Sequence, residues 1–212
     1  MTFSDIITAV SKRLIDPSNT AVDVSDVKAA INEATSFWKF RRFWFNEVTD
    51  TTTLTAQDPN MSFPAATCML PAFGSDGFYI IYSNLRYPLR KETAQVYDDV
   101  YLSNGFGIPR IYSAIGGVGY QCYPIPDRDY TLGRHYLKEY TDLVNNADTN
   151  DFTVNASRLL TLRALKTLSM ELRQDGNAYN YYDAAEAAEY KNLMVRTTKQ
   201  NASGSLSIAS MI

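Results

Sequence analysis

The chain has 212 residues, enough for one domain or for one domain with a sizeable insertion. Apolar residues make up 45% of it, so a core can form, and a net charge of −3 argues against a protein that grips nucleic acid mainly by neutralising phosphates. No run of about 18 apolar residues occurs and the N-terminus lacks the basic head of a secretory signal, so we expect no membrane span and no membrane partner.

Two helices are predicted in the first forty residues. Apolar side chains at helical spacing run from position 3 to 14, and Thr2 with Asp5 three residues later resembles a capping box. Pro17 ends this helix, because the residue before a proline avoids the helical region, and Asp23 or Ser25 can cap the next helix. The apolar face of the second helix comprises Val27, Ala30, Ile31, Ala34, Phe37 and Trp38.

The middle of the chain predicts a β-rich segment. Eleven of the fifteen tyrosines lie between Tyr79 and Tyr140, and aromatic and β-branched residues suit a half-buried pleated surface. Within this segment Thr93 can cap one short helix over residues 91–102, where tyrosine and valine recur at helical spacing. Strands are predicted at 43–55, 78–82, 85–89, 110–115, 119–123 and 129–140.

The C-terminal part predicts helix again. Asn155 or Ser157 can cap a leucine-rich helix that continues to Arg173. Gly176-Asn177 interrupts the pattern, and an alanine-rich helix follows at about 178–198.

The predicted fold class is α+β. N- and C-terminal helices, at residues 1–41 and 155–200, are expected to form a helical bundle, because each has an apolar stripe that must be covered. A β-rich insertion domain at 42–154 lies between them, and residues 201–212 are expected to form an extended C-terminal tail.

Residues suited to catalysis or metal binding are sparse. His135 is the only histidine, is expected to face solvent or to be hydrogen-bonded, and would have to serve any Ser/His/Asp or Cys/His arrangement. Cys68 and Cys122 lack zinc spacing, and two reduced thiols are favoured over a disulfide. Asp127 and Asp129 favour a turn over a divalent-ion site. We therefore expect no catalytic residues, no metal site and no cofactor.

Aromatic residues alternate with basic ones between positions 37 and 45. The pattern favours a helix-to-strand junction with the aromatic side chains in the core and the basic ones in water. A protein–protein interface is the second interpretation, and stacking on single-stranded nucleic acid is the third. As a candidate subunit interface the segment contributes Trp38, Arg41, Arg42 and Trp44.

The last twelve residues are uncharged and small. Disorder is one interpretation of this composition, although a solvated disordered tail usually carries charge. The other is an extended segment that docks on a partner and places some side chains in pockets. The apolar residues that would make such a contact are Leu206, Ile208, Met211 and Ile212.

Several motifs in the middle segment, together with the helical ends, resemble the head-to-tail adaptor, or connector, family of tailed bacteriophages, best known from short-tailed ones. The match covers most of the chain in order, and its strand–Pro-x-Pro-Asp–strand piece is the most specific part. The motifs are Cys68-Met69-Leu70-Pro71, the strand Phe78 to Tyr82, Gly107-Ile108-Pro109-Arg110-Ile111-Tyr112, and the segment from Tyr120 through Pro124-Ile125-Pro126-Asp127 to Tyr130.

The resemblance implies a structural protein of the virion. Family members form a ring, typically of twelve subunits, beneath the portal of the capsid, and the packaged DNA passes through the channel without specific binding. The β part is expected to face a tail nozzle or hub protein, with tail fibres as further candidate partners, and the C-terminal segment is expected to reach the portal. Assembly would take place in the bacterial host cytoplasm, with the product at the head–tail junction.

Two rival functions remain open at this point. A receptor- or carbohydrate-binding β module of a virion tail predicts exposed tyrosines on one strand face. A small hydrolase predicts loss of activity on His135→Ala, and nothing in the sequence suggests an activity.

Overall fold

The computed structural model describes residues 1–14, 22–64, 66–70, 77–101, 105–116 and 119–203. The chain separates into two compact units, one formed by Met1–Asn46 with Tyr140–Ile212 and the other by Glu47–Glu139. None of the helices in the described ranges has the length and apolar character that crossing a membrane requires. The domain boundaries predicted at 41/42 and 154/155 stay a prediction.

Six helices occur in the described residues. In chain order they are α1 Phe3–Arg13, α2 Val24–Trp38, α3 Ala94–Tyr101, α4 Asp151–Asn155, α5 Ser157–Glu171 and α6 Gly176–Ser203.

The capping signals of the first two helices are confirmed. At α1 the Thr2 hydroxyl accepts from the Asp5 N–H and the Asp5 carboxylate accepts from the Thr2 N–H, which satisfies two otherwise unpaired donors. At α2 the Asp23 carboxylate accepts from the Ser25 N–H at 2.8 Å.

The first unit is built around α5, which packs against α1, α2, α4 and α6. Its core is mainly aliphatic along α1 and α5 and aromatic where α2 ends, and α6 adds Leu193 as a buried side chain. Further buried members of this core are Phe3, Ile6, Val10, Ile31, Trp38, Phe152, Leu160, Leu165 and Leu168 of the helices and Phe43 of the turn after α2.

Strands of the second unit form three sheets. In chain order they are β1 Glu47–Leu54, β2 Asn60–Met61, β3 Ala66–Met69, β4 Phe78–Tyr82, β5 Leu85–Pro88, β6 Arg90–Lys91, β7 Phe106–Gly107, β8 Ile111–Ile115, β9 Gly119–Tyr123, β10 Ile125–Pro126 and β11 Tyr130–Lys138. The largest sheet has the order β1-β11-β4-β5, with β3 also paired to β11. The second sheet has the order β2-β9-β8-β6, and β10 pairs with β7.

Strand β11 organises the largest sheet because it pairs antiparallel with β1, β3 and β4. Tyr79 of β4 lies directly opposite Gly133 of β11, and its ring occupies the space that a Cβ at position 133 would need. The core of this unit joins Leu54, Phe78, Ile80, Leu89, Tyr112, Cys122 and Leu132.

The predicted fold class is wrong in its architecture. The described chain is a β-rich α+β fold with six helices and several sheets, not a bundle of terminal helices flanking an insertion. Helix α3 lies among the strands because burial of Tyr97 fixes it there, with the Tyr97 hydroxyl donating to the Cys122 carbonyl at 3.2 Å. Helix α6 continues through Ser203, three residues into the expected extended tail, because Asn201 and Ala202 do not stop a helix.

The strand predicted over 43–55 begins later than expected, at Glu47. Residues 43–46 form a turn instead, in which the Asn46 side chain accepts from the Phe43 N–H at 2.8 Å and donates to the Arg41 carbonyl at 2.8 Å. An asparagine side chain that binds nearby backbone groups stabilises a turn in place of a strand.

Candidate interaction surfaces

The aromatic and basic residues at 37–45 divide between core and surface. Trp38 is buried and stacks on Tyr190 of α6 with the ring centroids 5.0 Å apart. Phe43 is also buried and packs at right angles to Phe152, 5.9 Å away. The predicted core placement is therefore confirmed for these two aromatic side chains.

Other members of the same segment face solvent. Phe37 and Phe40 are exposed, and the Arg163 guanidinium lies 3.7 Å from the centre of the Phe37 ring. Arg41 and Arg42, which follow Phe40 directly in the sequence, are exposed as well. A patch of this composition is typical of protein–protein interfaces, in which aromatic residues and arginine are enriched.

Trp44 lies between core and surface. It is half-buried, meets Phe45 edge-on with the ring centroids 4.9 Å apart, and lies 5.8 Å from the Arg196 guanidinium. Of the four residues predicted for a subunit interface, Trp38 is therefore interior to its own chain, Trp44 is half-buried, and Arg41 and Arg42 are exposed.

Ion pairs join α5 to α6. Lys166 Nζ lies 2.5 Å from the Asp183 carboxylate and 3.1 Å from that of Glu186, and Arg163 lies 3.5 Å from Glu186. Burial opposes the charge on Lys166, but the hydrogen bonds that its ammonium group donates to Asp183 and Glu186 outweigh this effect and raise the Lys166 pKa above its ordinary value. Lys166 therefore stays charged at neutral pH and links the two helices.

A cavity of about 340 Å³ opens on the first unit. Two arginines and two tyrosines, which the sequence analysis did not single out, form most of its wall. The described lining residues are Arg13, Arg158, Leu162, Tyr181, Tyr182 and Ala185.

The ten tyrosines of the second unit, from Tyr79 to Tyr136, are all buried or half-buried, as is Tyr140 of the first unit. The Tyr130 hydroxyl donates to the Asp127 carboxylate. Burial, with this hydrogen bond second, raises the pKa of Tyr130 to about 12, while the bond lowers that of Asp127. The exposed tyrosine face expected of a receptor- or carbohydrate-binding module is therefore missing from the described strands.

His135, Cys68 and Cys122 were the sequence candidates for nucleophilic or metal chemistry. His135 is buried and its Nε2 lies 2.7 Å from the Glu47 carboxylate, which agrees with the predicted hydrogen-bonded histidine. Cys68 and Cys122 are both free thiols, and burial raises the pKa of Cys122 to about 12, so it is a poor nucleophile. No group of three or more metal-binding side chains occurs within the described part of the chain.

The four residues predicted to bind the portal, Leu206, Ile208, Met211 and Ile212, lie outside the described residues. Their role stays a prediction.

A family model described as SU10 adaptor protein matches residues 1–209, almost the whole chain. The chain belongs to the SU10 adaptor protein family. It matches none of the curated proteins.

Membership of this family has three direct consequences. The SU10 adaptor family is a family of structural phage proteins and not an enzyme class, and its members are adaptors that interact with other proteins of the phage head and tail. This adaptor is therefore a virion component, and the resemblance drawn from the strand and Pro-x-Pro-Asp motifs is confirmed at the level of the family.

The cavity was missed because its residues are distant in sequence. Arg13 is the last residue of α1, Arg158 lies in the first turn of α5, and Tyr181 and Tyr182 lie in the second turn of α6. One feature of the sequence could have indicated this surface. The four tyrosines outside the β-rich segment all lie between positions 179 and 190, on a helix that is otherwise rich in alanine.

Proposed function

We propose that this adaptor forms a ring beneath the phage portal, joins the capsid to the tail and continues the DNA channel. The family match over residues 1–209 is the observation that carries this proposal. The ring contains twelve subunits, following the stoichiometry typical of head-to-tail adaptors. Its other face binds a tail nozzle or hub protein and offers a place for tail fibres.

The surface at the end of α2 supports self-association. Phe40, Arg41 and Arg42 are exposed and consecutive in the sequence, and Trp44, two residues further on, is half-buried. Trp38 is buried at the end of α2 and stacks on Tyr190 of α6. We assign these residues to a contact between neighbouring subunits, in which arginine and aromatic side chains contribute most of the binding energy.

The segment after α6 supplies the contact with the portal. Helix α6 has 28 residues and is therefore about 42 Å long. Residues 204–212 reach at most about 30 Å beyond its end when fully extended. Leu206, Ile208, Met211 and Ile212 are the side chains that enter pockets of the portal.

The charge of the chain suits a channel through which DNA slides. Twelve copies with a net charge of −3 each give a ring a charge of −36, which disfavours adhesion of the phosphate backbone. The DNA therefore passes without specific binding.

The mass of the particle, measured with and without the portal protein, tests this proposal. We expect a ring-sized assembly of about twelve subunits bound to the portal. A protein that stays monomeric and binds no portal at micromolar concentration contradicts it.

Removal of residues 204–212 tests the portal contact separately. The deletion leaves α6 intact, so we expect unchanged folding and at least tenfold weaker binding to the portal. A full-length variant with serine at positions 206, 208, 211 and 212 is the control for chain length, and it should bind as weakly as the truncated protein. If both variants bind the portal as tightly as the wild type does, residues 204–212 do not form the portal contact.

A further inference from the structure

The outer face of α2 is acidic and aromatic. Its members recur every three or four residues, so they lie on one side of the helix or just after its end, and they are Asp26, Ala29, Glu33, Phe37 and Phe40. All five are exposed, and Phe40 retains 61% of its surface. The carboxylates of Asp26 and Glu33 have no partner among the described residues. This set, the acidic face, therefore has two carboxylates and two aromatic rings available to a partner.

The outer face of α6 is basic and largely apolar. Its members follow the same spacing over most of the helix, and they are Tyr181, Ala184, Ala188, Lys191, Val195 and Lys199. All six are exposed, including 69% of Tyr181 and 49% of Val195. Large apolar side chains exposed along one side of a helix are typical of a surface that packs against another protein. This set is the basic face.

The charged residues of α6 divide between its two sides. Its three acidic residues, Asp183, Glu186 and Glu189, all bind cations of α5 within the same chain. Lys191 and Lys199 on the basic face have no partner in the part of the chain that the structure describes. The inner side of α6 therefore has its negative charges neutralised, whereas the outer side keeps two positive charges for a partner outside the chain.

We propose that the acidic face of one copy packs antiparallel against the basic face of a second copy. One register then matches every position, and its pairs are Asp26 with Lys199, Ala29 with Val195, Glu33 with Lys191, Phe37 with Ala188 and Phe40 with Ala184. Each carboxylate meets a lysine, and each phenylalanine lies against an alanine, whose small side chain leaves room for the ring. Charge complementarity therefore selects a second copy as the occupant of both faces.

The spacing of the charges permits both ion pairs at once. Asp26 and Glu33 are separated by about 10.5 Å along α2, and Lys191 and Lys199 by about 12 Å along α6. A parallel arrangement also pairs these charges, but it places the aromatic end of α2 at or beyond the end of α6 and leaves the alanines of α6 uncovered. The antiparallel arrangement covers both faces along their length and is the one we infer.

This contact is head-to-tail. The two faces differ, so each copy binds one neighbour through α2 and another through α6. A contact of this kind repeats until it closes into a ring, whereas a two-fold dimer uses the same surface on both partners. The inference rests on the proposed ring, and it names the surface that the end of α2 meets on the neighbouring subunit.

Two charge-reversal variants of the full-length chain test the contact. The first is Asp26→Lys with Glu33→Lys, and the second is Lys191→Glu with Lys199→Glu. Self-association is measured by sedimentation velocity over a range of concentrations, alone and with portal protein. We expect each variant to associate at least tenfold more weakly than the wild type, because like charges then face each other.

Mixing the two variants separates a broken contact from a damaged fold. In the mixture, the lysines of the first variant meet the glutamates of the second, and the remaining native faces meet each other. We expect assemblies of wild-type size that contain the two variants in equal amounts, since a ring of twelve accommodates strict alternation. A variant that fails to fold is not rescued in this way, and absence of rescue between two folded variants contradicts the contact.

Arg90→Glu with Arg110→Glu is the matched control. It makes the same change in net charge as the lysine variant, on exposed positions of the second unit, and it should assemble as the wild type does. If the wild type forms rings and both charge-reversal variants form them equally well, the contact is wrong while the ring stands. If the wild type forms no assembly under any condition, the proposed ring itself fails.

Cross-linking tests the antiparallel register. In a Cys68→Ser background, Ser36→Cys with Ala188→Cys should give a ladder of linked copies with a short bismaleimide reagent, because packed helices lie about 8–10 Å apart. Ser36→Cys with Asn201→Cys, about 20 Å further along α6, should give little linkage. The opposite result, with linkage through position 201 only, overturns the antiparallel contact.

Discussion

Glu186 and Asp183 form a natural comparison, because both bind Lys166 but differ in exposure. The Glu186 side chain is 5% exposed and that of Asp183 is 55% exposed. We predict that Glu186→Gln lowers the free energy of unfolding by about 2 kcal/mol, whereas Asp183→Asn lowers it by at most about 0.5 kcal/mol. Both substitutions keep the size of the side chain and remove only its charge.

The larger figure follows from the surroundings of Glu186. Removing one partner of a fully buried ion pair costs about 3–5 kcal/mol, because an unpaired charge stays buried. Here the cations retain some contact with water, with side chains 13% exposed at Lys166 and 19% exposed at Arg163, so part of this penalty is recovered. Lys166 also keeps Asp183 as a partner, and the cost falls to about 2 kcal/mol.

Urea unfolding monitored by tryptophan fluorescence measures this difference. Trp38 stacks on Tyr190 of the same helix that carries Glu186, so its emission reports on the packing of α6. With a slope of about 2 kcal/mol per molar urea, the midpoint should fall by about 1 M for Glu186→Gln and by about 0.25 M or less for Asp183→Asn. Equal shifts for the two variants would refute the argument from burial.

Three further predictions concern the second unit. Gly133→Ala should lower the free energy of unfolding by about 3 kcal/mol in a thermal or urea melt, because its Cβ would overlap the Tyr79 ring, and Tyr79→Leu in the same chain should restore part of the loss. Tyr97→Phe should cost about 1 kcal/mol in the same assay, because it removes the donor to the Cys122 carbonyl, and a neutral result would mean that water replaces the hydroxyl. In a Cys68→Ser background, Cys122 should react with a thiol reagent at pH 8 about a hundredfold more slowly in the native protein than in urea, since burial raises its pKa to about 12; equal rates would contradict that burial.

Local signals in the sequence predicted local structure well. The capping box at Thr2 and Asp5 and the cap at Asp23 were correct, since both depend on residues within a few positions of each other. The short helix around Tyr97 was also predicted, from Thr93 and the spacing of tyrosine and valine. These features need no knowledge of the rest of the fold.

The sequence-based predictions were incomplete or wrong where the structure depends on more than the local sequence pattern. Strand β11 pairs with three other strands, and the order of that sheet depends on registers between segments up to about ninety residues apart. Strand β1 starts late because the Asn46 side chain hydrogen-bonds the backbone of Arg41 and Phe43 and so stabilises a turn before the strand. The length of α6 was underestimated because small uncharged residues were interpreted as an extended tail, although alanine and serine are compatible with helix.

The net charge of a chain does not reveal how charges are distributed among its surfaces. A chain with a net charge of −3 has a cavity lined by two arginines and, on its other unit, a helix with two exposed aspartates. Opposite charges on separate surfaces nearly cancel in the total, so the total predicts solubility and weak attraction for DNA but not the contacts between copies.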